Sequence, residues 1–284
     1  MIEARPSRTA LRVAMRRAAH QLFDNPKVLD DPVAMAIIGP RAAEKLKTEK
    51  PDAFGKFGLG IRAFMVARSR FAEDALARSI ARSARQYVIL GAGLDTFAYR
   101  NPYADSELRV FEVDFPATQE WKRRNLHEAG IAIPASVTYA PVDFEHQTLA
   151  EGLRLAGFDA SKPAFFSWLG VTMYLTEDAI ASTLRFIAST PTGGGVAFDY
   201  AVPIESLTFL GRMAMRAMMH RVAAAGEPFR TFFEPAPIAE RLSQMGFHGI
   251  EDLGANELNE RYFKNRTDKL RVVGRLGRVI SAEV

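Results

Sequence analysis

The chain has no cysteine among its 284 residues. That excludes a disulfide framework, thiolate catalysis and cysteine-ligated zinc. It has no apolar run long enough to span a bilayer, because every such run is broken by charge or glycine. Its histidines (His20, His127, His146, His220 and His248) show no metal-ligand spacing of the His-Glu-X-X-His kind. There is no internal repeat and no low-complexity tract. Charge of one sign is barely in excess: 37 basic against 33 acidic residues leave a net charge of +4. The basic residues are dispersed and read as solvated helix faces, without the aromatic-interleaved basic stripe of a nucleic-acid binder. Residues 1–17 are basic but read as an amphipathic helix rather than a secretory leader. The expectation is a cytoplasmic enzyme acting on a small molecule, with no nucleic-acid partner and no membrane span.

What is present is an alternation. From residue 10 to about 82 the spacing is helical: Ala10, Val13, Ala14, Arg17 and Ala18 repeat every three to four residues, and 65–80 does the same. Asp30-Asp31-Pro32 reads as a cap before a Pro-started helix to residue 38, ended by Gly39-Pro40, and Gly-interrupted 55–60 as a bend. Then short apolar strands at 87–90, 108–113, 137–142, 164–169 and 195–200 alternate with helical stretches at 96–100, 116–128, 149–156 and 177–189. Such alternation implies a parallel sheet covered on both faces. A further helix is expected over 238–245. The segments 249–253 and 269–276 read as a terminal strand pair, because Leu270, Val272, Gly274 and Leu276 alternate with Arg271, Val273 and Arg275.

The first strand ends in Gly91-Ala92-Gly93, and the second in Glu112-Val113-Asp114. Glycines let backbone pass close under a ligand, and an acid at the next strand's tip can accept hydrogen bonds from both ribose hydroxyls. A purely structural β–α turn would also use the glycines. A dinucleotide fingerprint wants a third glycine where Thr96 stands, and Asp95 would repel a diphosphate. A cationic adenosine ligand such as S-adenosyl-L-methionine tolerates Asp95. Asp114, just before Phe115-Pro116, is the better ribose partner, and Glu112 reads as a structural acid. Asp143 and Phe144, after the third strand, fit either an adenine site or a helix cap. Arg68 and Arg70 lie two apart on a helix, so one can point inward toward a ligand carboxylate. Trp168 ends the fourth strand, and Tyr174 follows it as a donor, a wall or core packing. Residues 203–237 hold a Met-rich basic helix with Met213, Met215, Met218 and Met219, then Phe229-Arg230-Thr231-Phe232-Phe233.

Arg68-Ser-Arg-Phe-Ala-Glu-Asp, Leu90-Gly-Ala-Gly-Leu-Asp-Thr-Phe-Ala-Tyr-Arg100, Phe111-Glu-Val-Asp-Phe-Pro116 and Gly170-Val-Thr-Met-Tyr-Leu175 occur in this order. Together they resemble the leucine carboxyl methyltransferase family, in its bacterial branch of S-adenosyl-L-methionine-dependent methyltransferases. The resemblance runs from about residue 9 to 200, and less sharply to the end. It implies a class I methyltransferase fold: a Rossmann-like α/β sheet of seven strands, the last antiparallel, with helices on both faces. It implies a helical cap (1–85), a cofactor-binding core (86–202), a lid insertion after the fifth strand (203–237) and the end of the core (238–284), all one domain. It implies that Arg68 pairs with the methionine carboxylate of the cofactor. Gly91, Ala92 and Gly93 would underlie the cofactor, Asp114 with Phe115 would hold the ribose, and Asp143 with Phe144 the adenine, Trp168 lying at the same site. One position departs from the pattern: where much of the family has a Glu before the Gly-Val-Thr-Met-Tyr-Leu motif, this chain has Leu169.

The chemistry expected is in-line methyl transfer from a sulfonium to an oxygen. A carboxylate acceptor, with a pKa near 4, needs no general base at neutral pH. Tyr174 and Arg230 are the candidate catalytic residues, and Arg17 and Arg100 are further candidates for orienting an acceptor carboxylate. Two alternatives share the opening motif. One is a catalytically degenerate S-adenosylmethionine-binding protein. The other is a nicotinamide-dependent reductase, for which no Tyr-X-X-X-Lys pair is found.

Overall fold

A computed structural model describes residues 8–48, 55–143, 147–206 and 228–284, with 212, 213, 216 and 219 between them. Seven strands form one sheet: β1 (Gln86–Leu90), β2 (Arg109–Asp114), β3 (Val137–Pro141), β4 (Ala164–Trp168), β5 (Gly195–Ala201), β6 (His248–Leu253) and β7 (Gly277–Glu283). Their order is β3-β2-β1-β4-β5-β7-β6. The first five pair in parallel, and β7 runs antiparallel to both β5 and β6. Every residue of β1, β4 and β5 is buried. That is why these strands read as unbroken apolar runs rather than alternating ones.

The pleat sends successive side chains to opposite faces. Val88, Leu90, Phe111, Phe166 and Phe198 face one core, shared with Leu153 of α6 (Leu149–Leu155), Leu184 of α7 (Glu177–Ala188) and Leu242 of α8 (Pro235–Gln244). Tyr87, Ile89, Val110, Phe165 and Ala197 face the other, against Phe71 and Leu76 of α4 (Gly55–Ala81) and Leu258 of α9 (Ala255–Tyr262). A third cluster is built by α1 (Arg8–Phe23), α2 (Ala34–Ile37) and α3 (Pro40–Thr48). There Ala14, Ala18, Ile37 and Leu46 close on Leu94, in the turn after β1, and on Leu126 of α5 (Pro116–Glu128). The N-terminal helices therefore cover the ligand end of the sheet, and the strand order reverses between β1 and β4, where such sheets open a crevice.

Three expectations from the sequence are corrected. The segment 55–60 is no bend: α4 runs through it. Gly60 serves close packing, since a Cβ there would stand 2.8 Å from Val273 Cβ. The last strand is Gly277–Glu283, not 269–276. Leu270 and Val272 are buried as a strand's would be, but the partner is a side chain. The Asn259 amide donates to Val272 O at 2.9 Å and accepts from Val272 N at 2.8 Å, replacing one rung of a ladder. Asp31 does not cap the short α2, whose preceding residue, Val33, makes no side-chain cap either. The Asp31 carboxylate turns instead toward the turn after β1.

Candidate cofactor and acceptor site

The turn after β1 is a tight backbone hairpin of left-handed glycines, Gly91 at φ +66° and Gly93 at φ +48°. A Cβ on Gly91 would collide with Val171 Cγ2, and one on Gly93 would lie 3.1 Å from Ala10 Cβ. The turn is thus pressed between the segment after β4 and the start of α1. Asp114 at the tip of β2 braces it. Gly93 N–H donates to its Oδ2 at 2.5 Å and Phe115 N–H to its Oδ1 at 2.7 Å. Burial raises the Asp114 pKa above its ordinary value, although both N–H groups and the nearby Lys122 pull the other way. The Thr118 side chain also bonds to this carboxylate, which has room for about four hydrogen bonds, so one acceptor position remains for a ligand's hydroxyl. Val142 N–H donates to Asp114 O at 3.0 Å, which sets Asp143, at the end of β3, beside Asp114. Phe144 lies outside the described residues.

Asp95 and Thr96 face the cap rather than the crevice. Thr96 Oγ1 donates to Asp31 Oδ2 at 2.6 Å, and Phe97 N–H to Asp95 Oδ1 at 2.8 Å. Arg17 reaches from α1 to Leu94 O at 2.5 Å, Asp95 at 3.4 Å and Asp31 at 3.5 Å. Arg100 pairs with Glu73 and lies 3.5 Å from Asp31. Burial pushes Asp95 up, but Arg17, Lys122 and Arg100 outweigh it and hold its pKa below the usual value. Arg17 and Arg100 are therefore committed to buried acids, which corrects the expectation that either could orient an acceptor. Glu112 is fully buried and paired with Lys122 Nζ at 2.7 Å, as a structural acid would be.

On the other side of the turn, Arg68 leaves α4 to meet Asp199 of β5, Nη1 to Oδ2, at 2.5 Å, with side chains 5% and 1% exposed. Gly170 N–H donates to Asp199 Oδ1 at 2.5 Å, and Thr172 Oγ1 to Asp199 O at 2.5 Å. Arg68 Nε is buried without a partner. Gly170 has φ +76°, and a Cβ there would stand 2.9 Å from Arg68 Nη2, so the guanidinium lies flat under this backbone. Asp199 escaped the sequence reading. Its signal was an acid inside the wholly buried run Val196-Ala197-Phe198-Asp199-Tyr200, a placement that charged residues take only when paired. Trp168 is buried in the first core, with Leu90 and Tyr200.

Tyr174 lies in the 3-10 turn Thr172–Tyr174, just after Val171. Its ring meets Phe229 edge to face at 5.3 Å, and Phe229 stacks with Phe232 at 6.1 Å. Arg230 N–H donates to Met173 O at 2.7 Å, and Thr231 Oγ1 to Leu175 O at 2.5 Å. These bonds bring the two candidate catalytic residues together. The Arg230 side chain is exposed and has no ion-pair partner among the described residues. Met215 and Met218 lie outside those residues.

A parallel sheet with an antiparallel seventh strand, a glycine turn braced by a strand-tip acid and a buried Arg beneath the next strand's turn define a class I methyltransferase. The leucine carboxyl methyltransferase family model matches residues 10–188, and the chain belongs to that family. It is 34% identical to the Bacillus subtilis (strain 168) protein named "Putative S-adenosyl-L-methionine-dependent methyltransferase YktD", over 93% of each chain. A Mycolicibacterium paratuberculosis (strain ATCC BAA-968 / K-10) protein named "Putative S-adenosyl-L-methionine-dependent methyltransferase" is 33% identical over 76% of this chain and 72% of its own. The fold is shared with the crystal structure titled as a putative methyltransferase from Thermobifida fusca YX (TM-score 0.56, 14% identity, 99% of this chain and 96% of that one). It is also shared with a DUF574 family protein from Streptomyces avermitilis MA-4680 (TM-score 0.55, 14% identity, 100% and 99%).

Proposed function

We propose that this site transfers the methyl group of S-adenosyl-L-methionine to a carboxylate oxygen of a small, partly apolar acceptor. Bound there, the cofactor supplies a methyl group on a sulfonium, already a good leaving group. The residues fit it. The glycine turn offers backbone without side chains, Asp114 keeps an acceptor position for a ribose hydroxyl, and Arg68 has a buried donor unfilled at Nε. Phe115 and Asp143 stand beside Asp114 for ribose and adenine, and Trp168 backs the site from the core.

The observation that carries the carboxylate reading is Arg230: an exposed cation without an ion-pair partner among the described residues, its backbone N–H bonded to Met173 O next to the rings of Tyr174, Phe229 and Phe232. The rings receive the apolar part of the acceptor, and Arg230 orients its carboxylate. No base is required, because the acceptor arrives ionised. None is offered by the described histidines either. His20 is bonded to Asp24, His127 lies on α5 and His248 on β6, away from the elements that carry Tyr174 and Arg230. Much of the lid expected over 203–237 lies outside the described residues. Rate comes from holding oxygen, carbon and sulfur close and collinear with water excluded.

The test uses cofactor labelled in the methyl group with tritium and a small-molecule extract. A methyl ester releases volatile tritiated methanol in mild alkali, and this release is expected. A labelled product stable to alkali, an ether or an amine, would overturn the carboxylate reading.

A further inference from the structure

Leu169 removes a carboxylate that the family motif places before Gly170, yet a different carboxylate sits one residue away in space. We infer that Asp199 is a positioning residue for the cofactor's amino-acid end, fixing Arg68 and the Gly170 turn that would meet it. The inference rests on the reading that Arg68 binds the cofactor's carboxylate.

Three elements meet on this one side chain. Oδ2 holds Arg68 from α4 at 2.5 Å, and Oδ1 holds Gly170 N–H, after β4, at 2.5 Å. The backbone carbonyl of Asp199 itself takes Thr172 Oγ1 at 2.5 Å. A planar guanidinium bonded through one Nη has its remaining donors fixed in direction. With Nη1 on Asp199, Nη2 lies against Gly170, 2.9 Å from where a Cβ would stand, and Nε is left without a protein partner. A long flexible arginine would otherwise lose rotamer freedom on meeting a ligand, and the fixed pair removes that cost. Asp199 is 1% exposed in its side chain, behind Arg68, so it acts through the arginine and the Gly170 turn rather than on the ligand. Leu169 packs against the core that holds Phe71, Ile89 and Ala197.

The test compares two probes by calorimetry. S-adenosylhomocysteine carries the amino-acid end, and methylthioadenosine lacks it but keeps the adenosine. Asp199→Asn is expected to weaken S-adenosylhomocysteine at least tenfold and to leave methylthioadenosine within twofold. A role in folding alone would move both probes together, and that result would overturn the inference. Asp199→Asn leaves Arg68 as a buried charge without its partner, which can unfold the protein. Arg68→Gln with Asp199→Asn removes both charges. Because Asp199 acts through Arg68, this double variant should bind S-adenosylhomocysteine no more weakly than Arg68→Gln alone. A further loss in the double variant means direct ligand contact by Asp199 and overturns the positioning role. The underlying reading fails separately: wild type that binds neither probe has no such cofactor site, and Arg68→Gln with unchanged S-adenosylhomocysteine affinity removes Arg68 from it.

Discussion

Asp114 does two things with one carboxylate, and they respond to pH in opposite directions. Its oxygens hold Gly93 N–H and Phe115 N–H, so it shapes the turn, and in the proposed function it also accepts from the ribose. Burial raises its pKa, meaning that the folded protein takes up this proton more readily than the unfolded chain. Its contribution to stability is therefore fully present below the unfolded value of 3.8 and is lost as pH rises through the raised folded value. Cofactor binding needs the ionised form, so affinity falls as pH drops through that same folded value. We expect the affinity for S-adenosylhomocysteine to decline on acidification with a midpoint above 3.8, and Asp114→Asn to flatten that decline. Asp114→Ala should weaken binding about tenfold or more, roughly 1.4 kcal/mol. Calorimetry across pH on the wild type and both variants decides it. An unchanged affinity in folded Asp114→Ala would place the ribose elsewhere.

Among the elements, α1 is one whose position depends on charge. Its Ala14 and Ala18 allow close packing, but Arg17 is the bond to the sheet, reaching Leu94 O, Asp95 and Asp31. Asp31 is 0% exposed, so losing Arg17 strands a buried carboxylate, at a typical cost of about 3–5 kcal/mol. Arg100, 3.5 Å from Asp31, offsets part of it. Arg17→Met is expected to speed backbone hydrogen exchange in α1 by at least tenfold while β1, β4 and β5 exchange as before, a sub-global opening of the cap. Uniform acceleration through the sheet would show that α1 has no separate opening. Legibility in the sequence divides along the same line between local and distant partners. The strands β1, β4 and β5 could be read because burial on both faces leaves mostly apolar residues, and the Gly91-Ala92-Gly93 turn and Asp114 because each ends such a strand. The end of the chain could not. Residues 269–276 carry a strand's alternation, but Asn259 takes the backbone of Val272, and Gly60 is explained by Val273. Asp199 was hidden for the same reason, since its partner Arg68 is 131 residues away.

For the whole molecule, the question is whether cap and sheet unfold as one body once the crevice is filled. The residues placed around the cofactor come from α4, the ends of β1, β2 and β3, the turn after β4 and, through Arg68, β5. A ligand bridging them binds only when all are assembled, so its binding energy stabilises the assembly rather than one part. At about a hundred times its dissociation constant, a ligand adds about 2.7 kcal/mol, a rise in Tm of roughly 4–8 °C for a chain of this size. The two tryptophans report the two regions separately: Trp168 lies in the sheet core, and Trp121 of α5 packs against the cap cluster. The Trp121→Phe variant leaves Trp168 as sole reporter, so its fluorescence follows the sheet, while ellipticity at 222 nm weights the helices. With S-adenosylhomocysteine bound, both signals are expected to melt at one midpoint, shifted up together. A helical transition that comes first and ignores the ligand would mean that the cap covers the crevice without taking part in holding what lies in it.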